Sequence, residues 1–215
     1  MTRREGKNAY IVLKRILDVI CAGMTLLVAS PVLGAIAVAV AVKHGKPVIF
    51  SQDRPGKDGE IFRLYKFRSM RPVDAGRNWV TDAERLTEFG IWLRATSLDE
   101  LPSFYNVLRG DMSLVGPRPL LVQYLGRYST HQARRHQVRP GITGLAQISG
   151  RNNLEWNAKF DLDVQYVDGI SFGTDLSILW RTLAAVVRRD GISASTHVTM
   201  PEFRGKQTPE ESIDE

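Results

Sequence analysis

Between Val19 and Val42 the chain reads VICAGMTLLVASPVLGAIAVAVAV, about 24 residues without a charge, past the roughly 18-residue threshold for a membrane segment. A helix in the core of a water-soluble domain keeps a polar face, and this run has none. It is too long for a secretory signal and shows no small-residue cleavage site, so it is expected to stay on the protein. Ser30 and Pro31 stand almost at its centre, where proline removes a backbone hydrogen bond and clashes with the carbonyl four residues back. Each arm is then about 12 residues, roughly 18 Å of helix, which matches about one leaflet of a 30 Å hydrocarbon core. Arg3, Arg4, Lys7, Lys14 and Arg15 precede the run, and Lys43 and Lys46 follow it. The positive-inside rule puts both ends in the cytoplasm. A re-entrant helix, broken at Ser30-Pro31 with the Ser30 hydroxyl bonded to a freed carbonyl, satisfies length and charge together. A kinked spanning helix is the alternative.

The rest of the chain has the composition of a folded protein. Its 215 residues are 43% hydrophobic and 24% charged, enough for one domain or one domain with an appendage. Lys and Arg number 29 against 23 acids, a net charge of +6. The pI of about 9.6 favours anionic partners: nucleic acid, a phosphate-bearing substrate or an anionic membrane surface. No nucleic-acid motif appears, and a nucleic-acid binder leaves the uncharged run unexplained. P-loop spacing is absent as well. The single cysteine, Cys21, excludes an intrachain disulfide framework and a Cys-based metal site, and fits a reducing, cytosol-facing location.

After the apolar run the period changes. Pro47 to Met70 gives two strand-like stretches around the turn-rich DRPGKDGE, a predicted β-hairpin. A short helix is expected over Asp82–Leu93 and another over Ser103–Leu108, closing at Arg109-Gly110, whereas GITGLAQISGRN reads as a Gly-rich loop. An amphipathic helix is expected from Asp175 to Gly191. Its apolar residues Leu176, Leu179, Trp180, Leu183, Val186 and Val187 suit either a membrane interface or a helix packed on the core with Arg181, Arg188 and Arg189 in water. The fold class is α+β, mainly helical with a small β-hairpin, anchored by the N-terminal re-entrant helix and by interfacial amphipathic helices. Three regions follow: 1–46 as membrane anchor, 47–206 as catalytic domain, 207–215 as an acidic flexible tail.

Adjacent acids, Asp99 and Glu100, stand in TSLDELPSFYNVL. Ser97-x-x-Glu100 matches a capping box, which would make Glu100 structural. Pro102 would then sit inside the helix, and its preference for the first turn moves the helix start toward Asp99 or Glu100. Asp99 at a helix N-terminus would be held ionised by the dipole, where a phosphate can also be received. An aspartate beside a phosphate needs cations. Arg94 lies upstream, Arg118 is held between two prolines in GPRPL, and Lys66 and Arg151 are further candidates. A Mg²⁺ on a carboxylate would neutralise a pyrophosphate further.

The combination SPVLG, QDRPGKDGEIFRLYKFRSM, TSLDELPSFYNVLRGDMSLVGPRPLL, VRPGITGLAQISGRN, FDLDVQYV and HVTMPEFRGK resembles the bacterial sugar transferases that are small monotopic phosphoglycosyl transferases. The resemblance runs from about Tyr10 to Lys206 and looks closest to the members acting on UDP-N,N'-diacetylbacillosamine in Campylobacter N-glycosylation. It implies an enzyme on the cytoplasmic face of the bacterial inner membrane that moves a sugar 1-phosphate from a UDP-sugar to undecaprenyl phosphate. UMP leaves, and a covalent sugar-phosphoryl aspartate on Asp99 lies between two steps. The resemblance also implies Mg²⁺ on Asp99, an Asp99-Glu100 dyad, phosphate contacts from Lys66, Arg94, Arg118 and Arg151, and the membrane bend at Ser30 and Pro31. Leu145 occupies a position where relatives can carry tryptophan, with a bearing on membrane or substrate contact. A membrane-anchored scaffold that binds anionic lipid without catalysis is the alternative from another class, and a fragment of a polytopic transferase would need further apolar segments. Neither the sugar nor the oligomeric state is legible.

Overall fold

The computed structural model describes residues 3–150, 154–188 and 202–205. Helix α1 (Arg3–Val28) is followed after one residue by α2 (Ser30–His44), and the stretch from Ala9 to Val28 meets α2 at a bend of 63°. The cause is local. Pro31 has no N–H to offer the Leu27 carbonyl, and the Ser30 hydroxyl donates to it instead at 2.8 Å. Among the described residues no single helix is long and apolar enough to cross a membrane, but this bent pair has the length and composition of a broken span or a re-entrant loop. Leu27, Val28, Val38 and Val42 are all exposed on it.

Further along α1, Lys14, Arg15 and Asp18 turn their charges into the protein. Lys14 pairs with Asp175 at 2.6 Å, and Asp18 accepts the Leu114 N–H at 3.1 Å. Arg15 donates to the Val107 and Leu108 carbonyls at 2.6 and 2.9 Å.

The hairpin forms as expected, with β1 (Ile49–Pro55) antiparallel to β2 (Ile61–Phe67) in a register from Ile49↔Phe67 to Pro55↔Ile61. Its turn is tighter than the sequence suggests, because Asp53, Arg54 and Pro55 belong to the strand. The single helix expected over 82–93 is two, α3 (Asp82–Arg85) and α4 (Glu88–Ala95). Thr81 and Thr87 each accept a backbone N–H as an N-cap, and Leu86 between them is extended. Helix α5 (Ser103–Arg109) closes on left-handed Gly110, φ 95°.

The Gly-rich stretch is more ordered than a loop. Strand β3 (Ser113–Val115) pairs in parallel with β4 (Gly141–Thr143), with the short helices α6 (Thr130–Ala133) before β4 and α7 (Leu145–Ile148) after it. Glycine is needed there: a Cβ on Gly141 would lie 2.1 Å from the Gly116 nitrogen. Two longer helices follow, α8 (Trp156–Asp168) and α9 (Phe172–Arg188).

Helix α9 begins three residues before the expected Asp175, and its expected stop at Gly191 lies outside the described residues. It buries Asp175 and Ile178 against Val115, Tyr166 and Ile170, while Leu176, Trp180 and Leu183 are exposed. The packed-on-core reading of its apolar stripe is therefore corrected, since the face used for packing is a different one. A separate aromatic cluster joins Tyr124, Tyr128, Trp156, Phe160 and Phe203. The α+β, mainly helical class with a small hairpin matches the observed architecture.

Candidate active site

Asp99 and Glu100 lie in a three-residue 3-10 turn, Leu98–Glu100, between α4 and α5. Two polar residues one turn apart on α5 set what faces it. The Ser103 hydroxyl donates to the Tyr65 carbonyl at 2.7 Å, and the buried Asn106 carboxamide accepts the Tyr65 N–H at 3.1 Å and donates to the Arg63 carbonyl at 2.8 Å. These bonds hold β2 against α5 and deliver the next residue, Lys66, whose Nζ lies 2.6 Å from Glu100 Oε1. Arg118 reaches the same oxygen with Nη2 at 3.1 Å. Its carbonyl accepts from Arg135 Nη2 at 2.7 Å, and Arg135 is buried with Nε and Nη2 on Asp163 Oδ2 at 3.0 and 2.8 Å. The flanking prolines and this buried pair together restrain the Arg118 backbone.

The two acids differ in state. Burial pushes Glu100 upward, but Arg118 and Lys66 outweigh it and bring its carboxyl down to about 2. Asp99 is only 8% exposed and makes no hydrogen bond or ion pair with the described residues. Burial, and then the Glu100 charge, raise it to about 6, against the pull of Lys66, Arg118 and Arg94. It remains mainly ionised at neutral pH. The expectation of a helix N-terminus holding Asp99 down is thus corrected: α5 starts at Ser103, and desolvation dominates.

The capping-box reading of Glu100 is corrected too. Ser97 is left-handed, φ 56°, and makes no cap, while the Glu100 side chain is committed to Lys66 and Arg118. Arg94 donates through Nε to Ser69 Oγ at 2.9 Å and acts on Asp99 through its charge. Arg151 lies outside the described residues. Leu145 is half-buried and packs on the Val115, Tyr166, Ile170 and Ile178 cluster. Sequence reasoning missed Ser103, Asn106, Arg135 and Asp163, whose roles are contacts between residues far apart in the chain. It also passed over Arg54, which lines a cleft with Lys66, Glu100, Ser103 and Arg118. The Arg-Pro-Gly around it read only as a turn.

Among the described residues no group of three His, Cys, Asp or Glu side chains could hold a metal ion. Mg²⁺ commonly takes one or two carboxylates and fills its shell with water and substrate phosphates. The unpartnered Asp99 carboxylate fits that donor set.

The sequence model described as bacterial sugar transferase matches residues 9–189. The chain is 49% identical over 196 residues to "Uncharacterized sugar transferase EpsL" of Bacillus subtilis (strain 168), covering 91% of this chain and 97% of that protein. It is 39% identical over 205 residues to "Undecaprenyl-phosphate galactose phosphotransferase" of Salmonella typhimurium (strain LT2), covering 86% of this chain and 43% of that one. "UDP-glucose:undecaprenyl-phosphate glucose-1-phosphate transferase" of Escherichia coli (strain K12) is 43% identical over 183 residues, 80% of this chain and 39% of its own. The chain thus spans less than half the length of the last two.

Proposed function

This chain belongs to the bacterial sugar transferase family, and we propose that it transfers a sugar 1-phosphate from a UDP-sugar to undecaprenyl phosphate with release of UMP. Support for the general reaction comes from relatives named for it. The observation that carries the chemistry is the division of labour between adjacent acids. Glu100 is occupied by Lys66 and Arg118, while the Asp99 carboxylate is ionised, desolvated and unpartnered among the described residues. A nucleophile needs that freedom.

In this reading an Asp99 oxygen attacks the sugar-proximal phosphorus, the bond from that phosphorus to the UMP oxygen breaks, and UMP keeps the electron pair. An oxygen of undecaprenyl phosphate then attacks the same phosphorus, the bond to Asp99 breaks, and the carboxylate is regenerated with an undecaprenyl diphosphate sugar as product. Lys66, Arg94 and Arg118 stabilise charge on the transferring group, with Arg151 as a fourth candidate, which is most of what phosphoryl transfer requires. Glu100 holds Lys66 and Arg118 in register. Asp99 would hold Mg²⁺ together with donor phosphate oxygens, and the ion would supply charge neutralisation there.

The bent α1–α2 pair and the outward apolar face of α9 support a monotopic seat in the cytoplasmic leaflet of the inner membrane, where a soluble donor and a lipid acceptor both arrive. An anionic-lipid scaffold without catalysis would bind the same membrane and release no UMP. For the sugar, the resemblance points to N,N'-diacetylbacillosamine or a similar N-acetylated sugar, whereas the relatives' names carry glucose and galactose. A panel of UDP-sugars assayed for UMP release decides between them.

With UDP-sugar and Mg²⁺ but no lipid acceptor, the intact mass of the protein should rise by one sugar phosphate, and Asp99→Asn should abolish the rise. UMP release only when the lipid is present, with no adduct at any time, would sink the covalent mechanism.

A further inference from the structure

Arg54, near the end of β1, pairs with Phe62 in the hairpin register. Its neighbour Asp53 alternates to the other face, where it meets Arg63 at 3.5 Å in an exposed pair. Arg54 Nη2 donates to Gln52 Oε1 at 2.6 Å and Nη1 to the Pro119 carbonyl at 3.3 Å, while Nε is buried without a partner. No carboxylate among the described residues pairs with it. Burial and the Arg118 charge push its guanidinium down to about 10, the response of a cation desolvated without a counter-ion.

The charge of the surroundings points the same way. Arg54 lines the cleft with Lys66, Glu100 and Arg118. Glu100 answers Lys66 and Arg118, but no carboxylate among the described residues answers Arg54. Among the lining residues three cations, Arg54, Lys66 and Arg118, stand against one carboxylate, Glu100, so the cleft lacks negative charge in the amount a diphosphate brings.

We propose that Arg54 is an anion-binding residue of this cleft, its guanidinium receiving the oxygens of a phosphate group that enters beside Arg118. Guanidinium is the side chain whose planar fork matches phosphate. Gln52 and Pro119 hold two of its nitrogens and orient the plane before the anion arrives. Two molecules of the proposed reaction carry such a group, the nucleotide donor and the lipid acceptor, and the choice of ligand rests on that reading.

The test is direct binding of UDP and of a short-chain polyprenyl phosphate to the purified full chain in detergent, for wild type, Arg54→Gln and Arg54→Lys. Folded Arg54→Gln should bind at least one probe about ten-fold more weakly. A loss confined to UDP assigns the donor phosphate, and a loss confined to the lipid assigns the acceptor. Wild-type affinity should also fall more steeply with added salt than that of the variant, a difference that mere loss of the Pro119 contact would not produce. Unchanged affinity for both probes, or equal salt slopes, overturns the proposal. Should Arg54→Gln fail to fold, Arg54→Lys keeps the charge without the fork and is expected to bind about three-fold more weakly, and wild-type affinity there overturns the proposal. Since neither probe needs turnover, Arg54-dependent binding by a protein that never releases UMP would refute the transferase reading and leave Arg54 assigned.

Discussion

Consecutive residues in a 3-10 turn project about 120° apart, which is how Asp99 and Glu100 come to have different fates. One direction meets Lys66 and Arg118, and the other is buried, with Lys66, Arg118 and Arg94 acting on it through charge alone. The adjacency of the acids was legible in the sequence. Which of them is ion-paired was not, since that depends on Lys66 from a distant strand. His136 offers a separate test of burial at this scale. Its Nδ1 faces the Gly56 carbonyl at 3.1 Å and its Nε2 is buried without a partner. Burial, then the Arg135 charge, lower it to about 4. The unfolded imidazole takes up a proton below about 6.5 while the folded one resists, so its contribution is fully present above that pH and is lost as pH falls toward about 4. Across that window about 2 to 3 kcal/mol should disappear, and His136→Gln should flatten the loss in denaturation measured between about pH 7.5 and pH 4.5. Parallel profiles for the two proteins would count against this account.

Among the elements, α5 and the α1–α2 pair have the most consequence for function. Asn106 has no exposed surface and bonds to Tyr65, Arg63 and Asp111. Asn106→Ala leaves the part-buried Tyr65 N–H and Arg63 carbonyl on β2 without this partner, which should cost about 1 to 3 kcal/mol. The same change should slow sugar-phosphate transfer, because the strand that presents Lys66 is released from α5. Thermal denaturation with UMP release on the same samples checks both, and a destabilised variant with undiminished turnover would refute the positioning role. For the bent pair, cysteines introduced near Lys7 and Lys46 should both be labelled from the cytoplasmic side only. Labelling of either from the periplasm rejects the re-entrant reading. The bend itself was readable from two residues, because a missing N–H and a serine hydroxyl act within one turn.

Across the whole molecule, one buried carboxylate ties three helices together. Asp175 on α9 accepts from Tyr10 at 2.6 Å and Lys14 at 2.6 Å on α1, and from Tyr166 on α8 at 2.7 Å. Asp175→Ala leaves the desolvated Lys14 with only Asp18 at 3.9 Å and should cost about 3 kcal/mol, whereas Asp53→Ala, which breaks only the exposed pair with Arg63, should cost about 1 kcal/mol or less. Equal melting temperatures for the two variants would contradict this ranking. The comparison also shows what kind of information each level holds. Taken alone, the sequence determined the broken apolar helix, the hairpin and the adjacent acids, because backbone sterics, strand alternation and turn chemistry act between near neighbours. It left open which acid is paired, that Arg54 has no counter-ion among the described residues, that β3 and β4 run side by side, and that α9 turns its apolar stripe outward. Only the tertiary structure decided these, because desolvation and Coulomb energy depend on which distant residues are brought within a few ångströms of one another.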